Sequence, residues 1–395
     1  MGLLFAGATV LAGGLFVGER DLVALGVLLL ALPLLSGLTL LGAFRGIGHG
    51  RALRPARAPV GSEAEVAVRI ANTGALRPLG GVLAEDLLPP ALGEPPRFRI
   101  GLLAPGRDRD LAYRVRVSAR GLYQVGPVRV TLGDPLGCFR AVRDLGAPAV
   151  LMATPEVLPL GGGGSPAGAA EPGGSPARAM AASGEDDPVP RPYRSGDELR
   201  RVHWRSTARH GELMVRREEA RHDGGAAVLV DLRAAAHTGS GPESTLETAV
   251  SAAASVAVHL SGQGRRVRLL TDGGEPGVPA AGPAGVVEAL ALAPASARSG
   301  LAAGAEPLRT AGSGPVVAVL GALGPADLEA LSSAARGAAG PRTAVLCTDR
   351  PAGAEGAAAA LTAAGWHVLV IGRPSDLPAA WGTPARGAPA PGGPR

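Results

Sequence analysis

The chain has 395 residues, 46% of them hydrophobic and 18% charged, with a net charge of +5; that is room for two or three domains and excludes a wholly disordered polymer. All 39 basic residues are arginine, so no Walker A loop, Schiff-base lysine or Ser–Lys dyad can be built, and beside 60 glycines and 36 prolines the basic balance argues only weakly for nucleic acid. The two cysteines, Cys138 and Cys347, stand far apart in sequence and in different expected domains, which supports neither a disulfide framework nor a zinc site and suits a reducing compartment.

Residues 2–18 and 22–44 carry no charge. At ~1.5 Å per residue the second run would reach ~34 Å as a helix and the first ~26 Å, against a ~30 Å hydrocarbon core. A two-helix transmembrane hairpin is therefore expected over 1–45, with Pro33 tolerated inside it. A secretory signal would carry a basic start, and Met1-Gly2-Leu3 has none. The connection Glu19-Arg20-Asp21 has no positive excess, whereas Arg45, His49, Arg51, Arg54 and Arg57 follow the second run. Positive flanks stay inside, so the expectation is a multi-pass protein of the cell membrane with everything after Phe44 cytoplasmic.

From 46 to 158 the pattern becomes short alternating stretches. In 110–121 Leu111, Tyr113, Val115 and Val117 share one face and Arg114 and Arg116 the other; in 122–135 Val128, Val130 and Leu132 repeat the alternation. Such runs, broken by Gly, Pro and Asn, predict an antiparallel β-sandwich. Residues 159–190 are rich in Gly, Ala, Ser and Pro without periodicity, which predicts a flexible linker. The glycine run in it lacks the ending of a phosphate-binding loop.

The stretch 191–219 reads RPYRSGDELRRVHWRSTARHGELMVRREE, with eight arginines and five carboxylates around one Trp. Ser195 or Asp197 can cap a short helix, and Trp204 can stack on an arginine. Two readings stand side by side. Arg200, Trp204 and Arg209 can clasp this segment, 191–225, to the rest of the protein, or they can form a docking surface, since Trp and Arg are typical interface anchors. The near balance of charge argues against nucleic acid. His203 and Ser206 are ordinary helical neighbours, and no nucleophile elbow or metal-binding histidine pair accompanies them.

From 226 to 382 apolar runs such as AVLVDL (227–232), RVRLLTDGG (266–274), PVVAVLG, TAVLCT and WHVLVIG alternate with helical stretches. In 242–264, Leu246, Val250, Ala253, Ala254, Ala257 and Leu260 fall near helical spacing, ahead of Gly262 and Gly264. Continuous apolar strands alternating with helices predict a Rossmann-like α/β domain with a parallel sheet covered on both faces. Ligands of such sheets sit at the carboxyl ends of strands, where Asp231 and Asp272 stand. The tail, 383–395, is expected to be disordered.

Tyr193, Gly196, Asp197, Arg200, Val202, Trp204, Ala208, Arg209 and Glu218 together resemble the signature of the DUF58 family of bacterial membrane-associated proteins, and RGLYQVGPVRVTLGDPLGCF (120–139) resembles a second element of that family. His203 departs from the acidic residue many members carry there. The resemblance implies a C-terminal domain like a von Willebrand factor A domain, whose metal site is built on Asp-x-Ser-x-Ser after the first strand. Here that place reads Asp231-Leu232-Arg233-Ala234-Ala235. A hard cation wants oxygen ligands, and Arg233 and Ala235 supply none, so no metal and no cofactor are expected. Asp231 is expected to pair with an arginine, with Asp272 as a remnant of a distal ligand.

The resemblance further implies a MoxR-type AAA+ ATPase as partner, together with a transglutaminase-like membrane protein. The expectation is a non-enzymatic, membrane-anchored scaffold or adaptor that docks through Tyr193, Asp197, Arg200, Trp204 and Arg209. The alternative is a hydrolase or other enzyme with a site near Asp231 and Asp272.

Overall fold

The computed structural model describes residues 2–41, 43–75, 77–161, 190–192, 214–216, 225–276, 282–311 and 313–382. The chain divides into two compact units, Met1–Thr154 and Pro155–Arg395.

The first unit opens with two apolar helices, α1 (Gly2–Val17) and α2 (Arg20–Leu38). They run antiparallel, Gly14 lying against Leu22 and Val23, Gly26 against Leu11, and Gly7 against Leu29 and Leu30. A Cβ at Gly26 would stand 2.5 Å from the Leu11 nitrogen, and one at Gly14 2.7 Å from that of Val23. Small residues permit such close approach between apolar helices, where packing rather than water drives association. Among the described residues one helix, α2, is long and apolar enough to cross a membrane, and α1 is a shorter apolar helix. The helix does not fill the whole uncharged run to 44. Past Leu38 the backbone tightens, with the N–H groups of Thr39, Leu40 and Leu41 donating to Ser36, Gly37 and Leu38, and Thr39 Oγ1 donating to the Ser36 carbonyl at 2.6 Å.

The strands that follow form three sheets around one apolar core. β1 (Ile47–Arg54), β3 (Glu63–Asn72) and β6 (Asp108–Arg116) make one; β2 (Arg57–Pro59), β7 (Gly121–Val125) and β10 (Ala149–Thr154) another; β4 (Leu79–Asp86), β5 (Arg97–Leu103), β8 (Val128–Gly133) and β9 (Arg140–Leu145) the third. Pairing is antiparallel except between β2 and β10. The alternation read from sequence places the side chains. Val115, Val117, Val128, Val130 and Leu132 are buried while Arg114 and Arg116 are exposed, because a strand sends successive side chains to opposite faces.

Arg51, one of the basic residues that follow the second apolar run, lies on β1 with its side chain 6% exposed and ion-paired to Asp86 of β4. Tyr113 Oη donates to the same carboxylate at 2.6 Å. Burial raises the Asp86 carboxyl above the ordinary range, against the lowering effect of Tyr113 and Arg51.

The GDPLGCF turn holds the end of α2. Asp134 accepts from Ser36 Oγ, from the Phe139 N–H at 2.6 Å and from the Leu136 N–H at 3.3 Å. Gly37 lies against the Phe139 ring, which a Cβ there would approach to 2.9 Å. Burial pushes the Asp134 carboxyl up, but these donors outweigh it and leave it below its ordinary value.

The second unit holds two short strands, β11 (Pro190–Pro192) and β12 (Met214–Arg216), and five parallel ones, β13 (Ala226–Val230), β14 (Val267–Thr271), β15 (Val316–Leu320), β16 (Arg342–Cys347) and β17 (His367–Ile371). The five take the order β14-β13-β15-β16-β17. Between and after them run α3 (Thr245–Gly262), α4 (Gly282–Leu292), α5 (Pro325–Gly337), α6 (Pro351–Ala363) and α7 (Leu377–Trp381). Ser244 caps α3, its side chain accepting from the Glu247 N–H at 3.3 Å. Val250, Ala253, Ala254, Ala257 and Leu260, the residues at helical spacing, are fully buried against Val228, Val230, Val317 and Val319. Ala227, Leu229, Ala318 and Leu320 face the other way, onto Leu331 of α5 and Leu361 of α6. Both faces are therefore dry, which is why these strands read as unbroken apolar runs.

Candidate functional site

In a sheet ordered this way the chain leaves β13 toward β14 on one side and reaches β15 on the other. The two connections part at the carboxyl ends of β13 and β15, the place where such sheets hold ligands. Asp231 follows β13 directly and is fully buried. Its backbone N–H donates to the Val319 carbonyl at 2.8 Å and its own carbonyl meets His237 Nε2 at 2.8 Å, so the carboxylate is fixed on a rigid element.

Arg233 lies across that carboxylate. Nε donates to Asp231 Oδ1 and Nη2 to Asp231 Oδ2, both at 2.9 Å, a two-pronged pair. Nη1 donates to Asp327 Oδ2 at 2.9 Å and to the Ser299 carbonyl at 3.3 Å, and Nη2 also reaches the Ala322 carbonyl at 3.3 Å. The three residues are 0%, 4% and 5% exposed in the order Asp231, Arg233, Asp327. Asp327 comes from the first turn of α5, where it also accepts from the Gly324 N–H at 3.0 Å and the Leu301 N–H at 3.0 Å. Pro325 and Asp327 open that helix in the usual N-terminal order, Pro at the first position and an acid near the positive end. The hydrogen bonds to Asp231 hold the Arg233 proton more tightly than usual.

The arginine that pairs with Asp231 is thus two residues along the same turn, and its guanidinium lies between two carboxylates. A divalent ion would need that space and oxygen donors around it. Arg233 and Ala235 offer none, so the residues present do not fit a metal. Burial first, and then the Asp231 charge, push the nearby Cys347 thiol up, which favours its protonated form.

Asp272, which follows β14, is 2% exposed. Its Oδ1 accepts from the Leu232 N–H at 3.3 Å. Its Oδ2 has no hydrogen-bond partner among the described residues, with Arg298 Nε 3.9 Å away. Both lie on a cavity of about 670 Å³ that Leu232, Glu275, Glu288 and Leu292 also line. Asp231 and Asp272 are therefore both at strand ends as expected, but Arg233 ties the first to Asp327 rather than to the second. Asp327 was not singled out in the sequence, where its one signal is the Gly-Pro-Ala-Asp start of a helix.

The expected docking residues Tyr193, Asp197, Arg200, Trp204 and Arg209 lie outside the described residues. On either side of them Pro190–Pro192 and Met214–Arg216 pair antiparallel, Arg191 opposite Val215. Among the described residues these two short strands form a sheet of their own, apart from the five-stranded one.

A parallel α/β domain with a buried ion-pair cluster at its strand ends, preceded by a β-rich unit and an apolar N-terminal helix, is the class of protein this chain presents. Residues 190–345 match the model of the family described as "Protein of unknown function DUF58". Over that segment, which is less than half of its length, the chain is similar to the DUF58 family. No curated protein matches it. Among solved structures, the CARDB domain of the PF1109 protein from Pyrococcus furiosus, in complex with di-metal ions, is 15% identical over 27% of this chain and 86% of its own, with a TM-score of 0.20. The C-terminal domain of wzt is 12% identical over 28% of this chain and 75% of its own, with a TM-score of 0.22. Beta-glucosidase 3B from Thermotoga neapolitana is 15% identical over 27% of this chain and 16% of its own, with a TM-score of 0.15. Likenesses of this extent carry nothing about the chemistry of the present chain.

Proposed function

We propose that this protein is a non-enzymatic scaffold or adaptor, anchored in the cell membrane by the α1–α2 hairpin, whose C-terminal domain is a von Willebrand factor A-like domain that has exchanged its metal for an arginine. One observation supports this reading above the others. The place where such a domain would hold a divalent ion contains the Arg233 guanidinium, bonded to Asp231 and Asp327. A fixed cation there keeps the fold's charge balance without an open coordination position, so the strand ends offer no Lewis acid. What remains for the domain is recognition. The Arg-rich segment 191–219, with its single Trp, is the surface we assign to it, with Tyr193, Asp197, Arg200, Trp204 and Arg209 as anchors. A MoxR-type AAA+ ATPase is the proposed partner, a transglutaminase-like membrane protein a second. In this reading both soluble units are cytoplasmic, on the side of Arg45, Arg54 and Arg57.

The reading is tested by titrating the purified full chain with Mg²⁺ and Mn²⁺ in a calorimeter. No saturable heat is expected, whereas stoichiometric binding abolished by Asp231→Asn would overturn it.

A second reading is favoured by Asp272, which lines the cavity with Glu275 and Glu288 and whose buried Oδ2 has no hydrogen-bond partner among the described residues. A hydrolase or other enzyme acting at Asp231 and Asp272 would use that cavity. It requires that Asp272→Asn abolish an activity while leaving the domain folded.

A further inference from the structure

A groove of about 770 Å³ runs along the first unit where α2 ends. That is within the range of ~300–1,000 Å³ typical of small-molecule sites. Leu35 and Leu38 of α2, Leu41 just beyond it and Leu102 of β5 line it and stay between 56% and 69% exposed. The lining polar side chains are already occupied. Asn72 Nδ2 donates to the carbonyls of Arg77 and Leu103, Asn72 Oδ1 accepts from the Gly74 N–H, and Thr39 Oγ1 donates to Ser36. An occupant therefore meets an apolar wall with no side-chain hydrogen bond left to satisfy. The one charged lining residue is Arg77, which is exposed and has no ion pair among the described residues.

The position of the groove selects its occupant. Its leucine wall continues the apolar surface of α2 without a break, and Ser36–Asp134 and Gly37–Phe139 hold that helix end to the β-rich unit. Apolar wall next to the bilayer and a single free cation at the rim together match an amphiphile with an anionic head. We propose that the groove takes one acyl chain of an anionic phospholipid from the leaflet at the Leu38 end of α2, with Arg77 at its phosphate. This rests on the reading of α2 as a membrane span.

The test uses the full chain in vesicles of phosphatidylcholine with one fifth phosphatidylglycerol, the latter carrying a photoreactive diazirine in its acyl chain. Cross-links are mapped by peptide mass spectrometry. The proposal expects labels on Leu102 and Leu79–Gly81 as well as on the exposed face of α2 at Leu28 and Leu32. Gly80→Trp, whose Cβ would meet only Leu102 Cδ1 at 3.9 Å, and Leu102→Glu at an exposed position should each lower groove labelling at least tenfold and leave α2 labelling intact. Arg77→Gln should remove the preference for phosphatidylglycerol over an equally labelled phosphatidylcholine. Labels on α2 alone would overturn the groove and keep the span. Labels on neither would overturn both. Disulfide-linked dimers of Leu102→Cys with no lipid label would assign the groove to a second copy and overturn the lipid.

Discussion

Replacing Arg233 by alanine is the sharpest perturbation of the strand-end cluster. The wild-type guanidinium makes five hydrogen bonds, two to Asp231, one to Asp327 and two to backbone carbonyls. Its loss leaves two carboxylates no more than 5% exposed without their cation. Breaking a buried pair by removing one partner costs about 3–5 kcal/mol, because the remaining charge stays uncompensated. Against a typical domain stability of roughly 5–15 kcal/mol, that is a large fraction. The three tryptophans, Trp204, Trp366 and Trp381, all belong to the second unit, so tryptophan fluorescence during urea unfolding follows that unit by itself. Arg233→Ala should shift its midpoint by a destabilisation of about 3–5 kcal/mol. Arg233→Ser with Ala235→Ser should be similarly weak in chelator yet recover with millimolar Mg²⁺, since a ligand at 100 times its Kd restores about 2.7 kcal/mol. A midpoint displaced by less than about 1 kcal/mol in Arg233→Ala would refute the claim that this arginine balances the buried charge.

Three further outcomes follow from the first unit. Tyr113→Phe removes a hydrogen bond to the buried Asp86 carboxylate and should cost about 2 kcal/mol, measured as a loss of amide-exchange protection in β4 and β6. Gly26→Leu would bring a Cβ to 2.5 Å from the Leu11 nitrogen, so spin labels at Leu3 and Leu34 should move apart while membrane integration persists; an unchanged distance would contradict the packing. Asp134 has a depressed pKa in the folded protein, so its contribution is full above the ordinary carboxylate range and is lost as pH falls through the folded value. The stability gap between wild type and Asp134→Asn should therefore be widest near neutrality and close in acid, and a gap independent of pH would contradict the role given to Ser36 and the Phe139 N–H.

What could be read in the sequence followed the range of the interactions involved. The alternation in 110–135 and the helical spacing from Val250 to Leu260 are local, and they place the same residues in the core. The absence of hydroxyl side chains at 233 and 235 is also local, and it pointed to an arginine as the partner of Asp231. Which arginine, and that Asp327 completes the cluster, depends on a contact spanning 94 residues, for which a single sequence carries no signal. The burial of Arg51 is hidden for the same reason. A basic residue behind an apolar run reads as a membrane flank, and only its pairing with Asp86 on another strand shows that it is buried. The end of α2 was hidden because the turn after Leu38 is as apolar as the helix, and hydropathy does not distinguish the two.

The scaffold reading is tested most directly by recovering the full-length protein from detergent-solubilised native membranes, wild type beside Trp204→Ala, and identifying what accompanies it by mass spectrometry. The account predicts a MoxR-type AAA+ ATPase with the wild type and its loss from a mutant whose unfolding midpoint is unchanged. Equal recovery of the ATPase with both proteins, or its absence from both, would contradict the assignment of residues 191–219 as the docking surface.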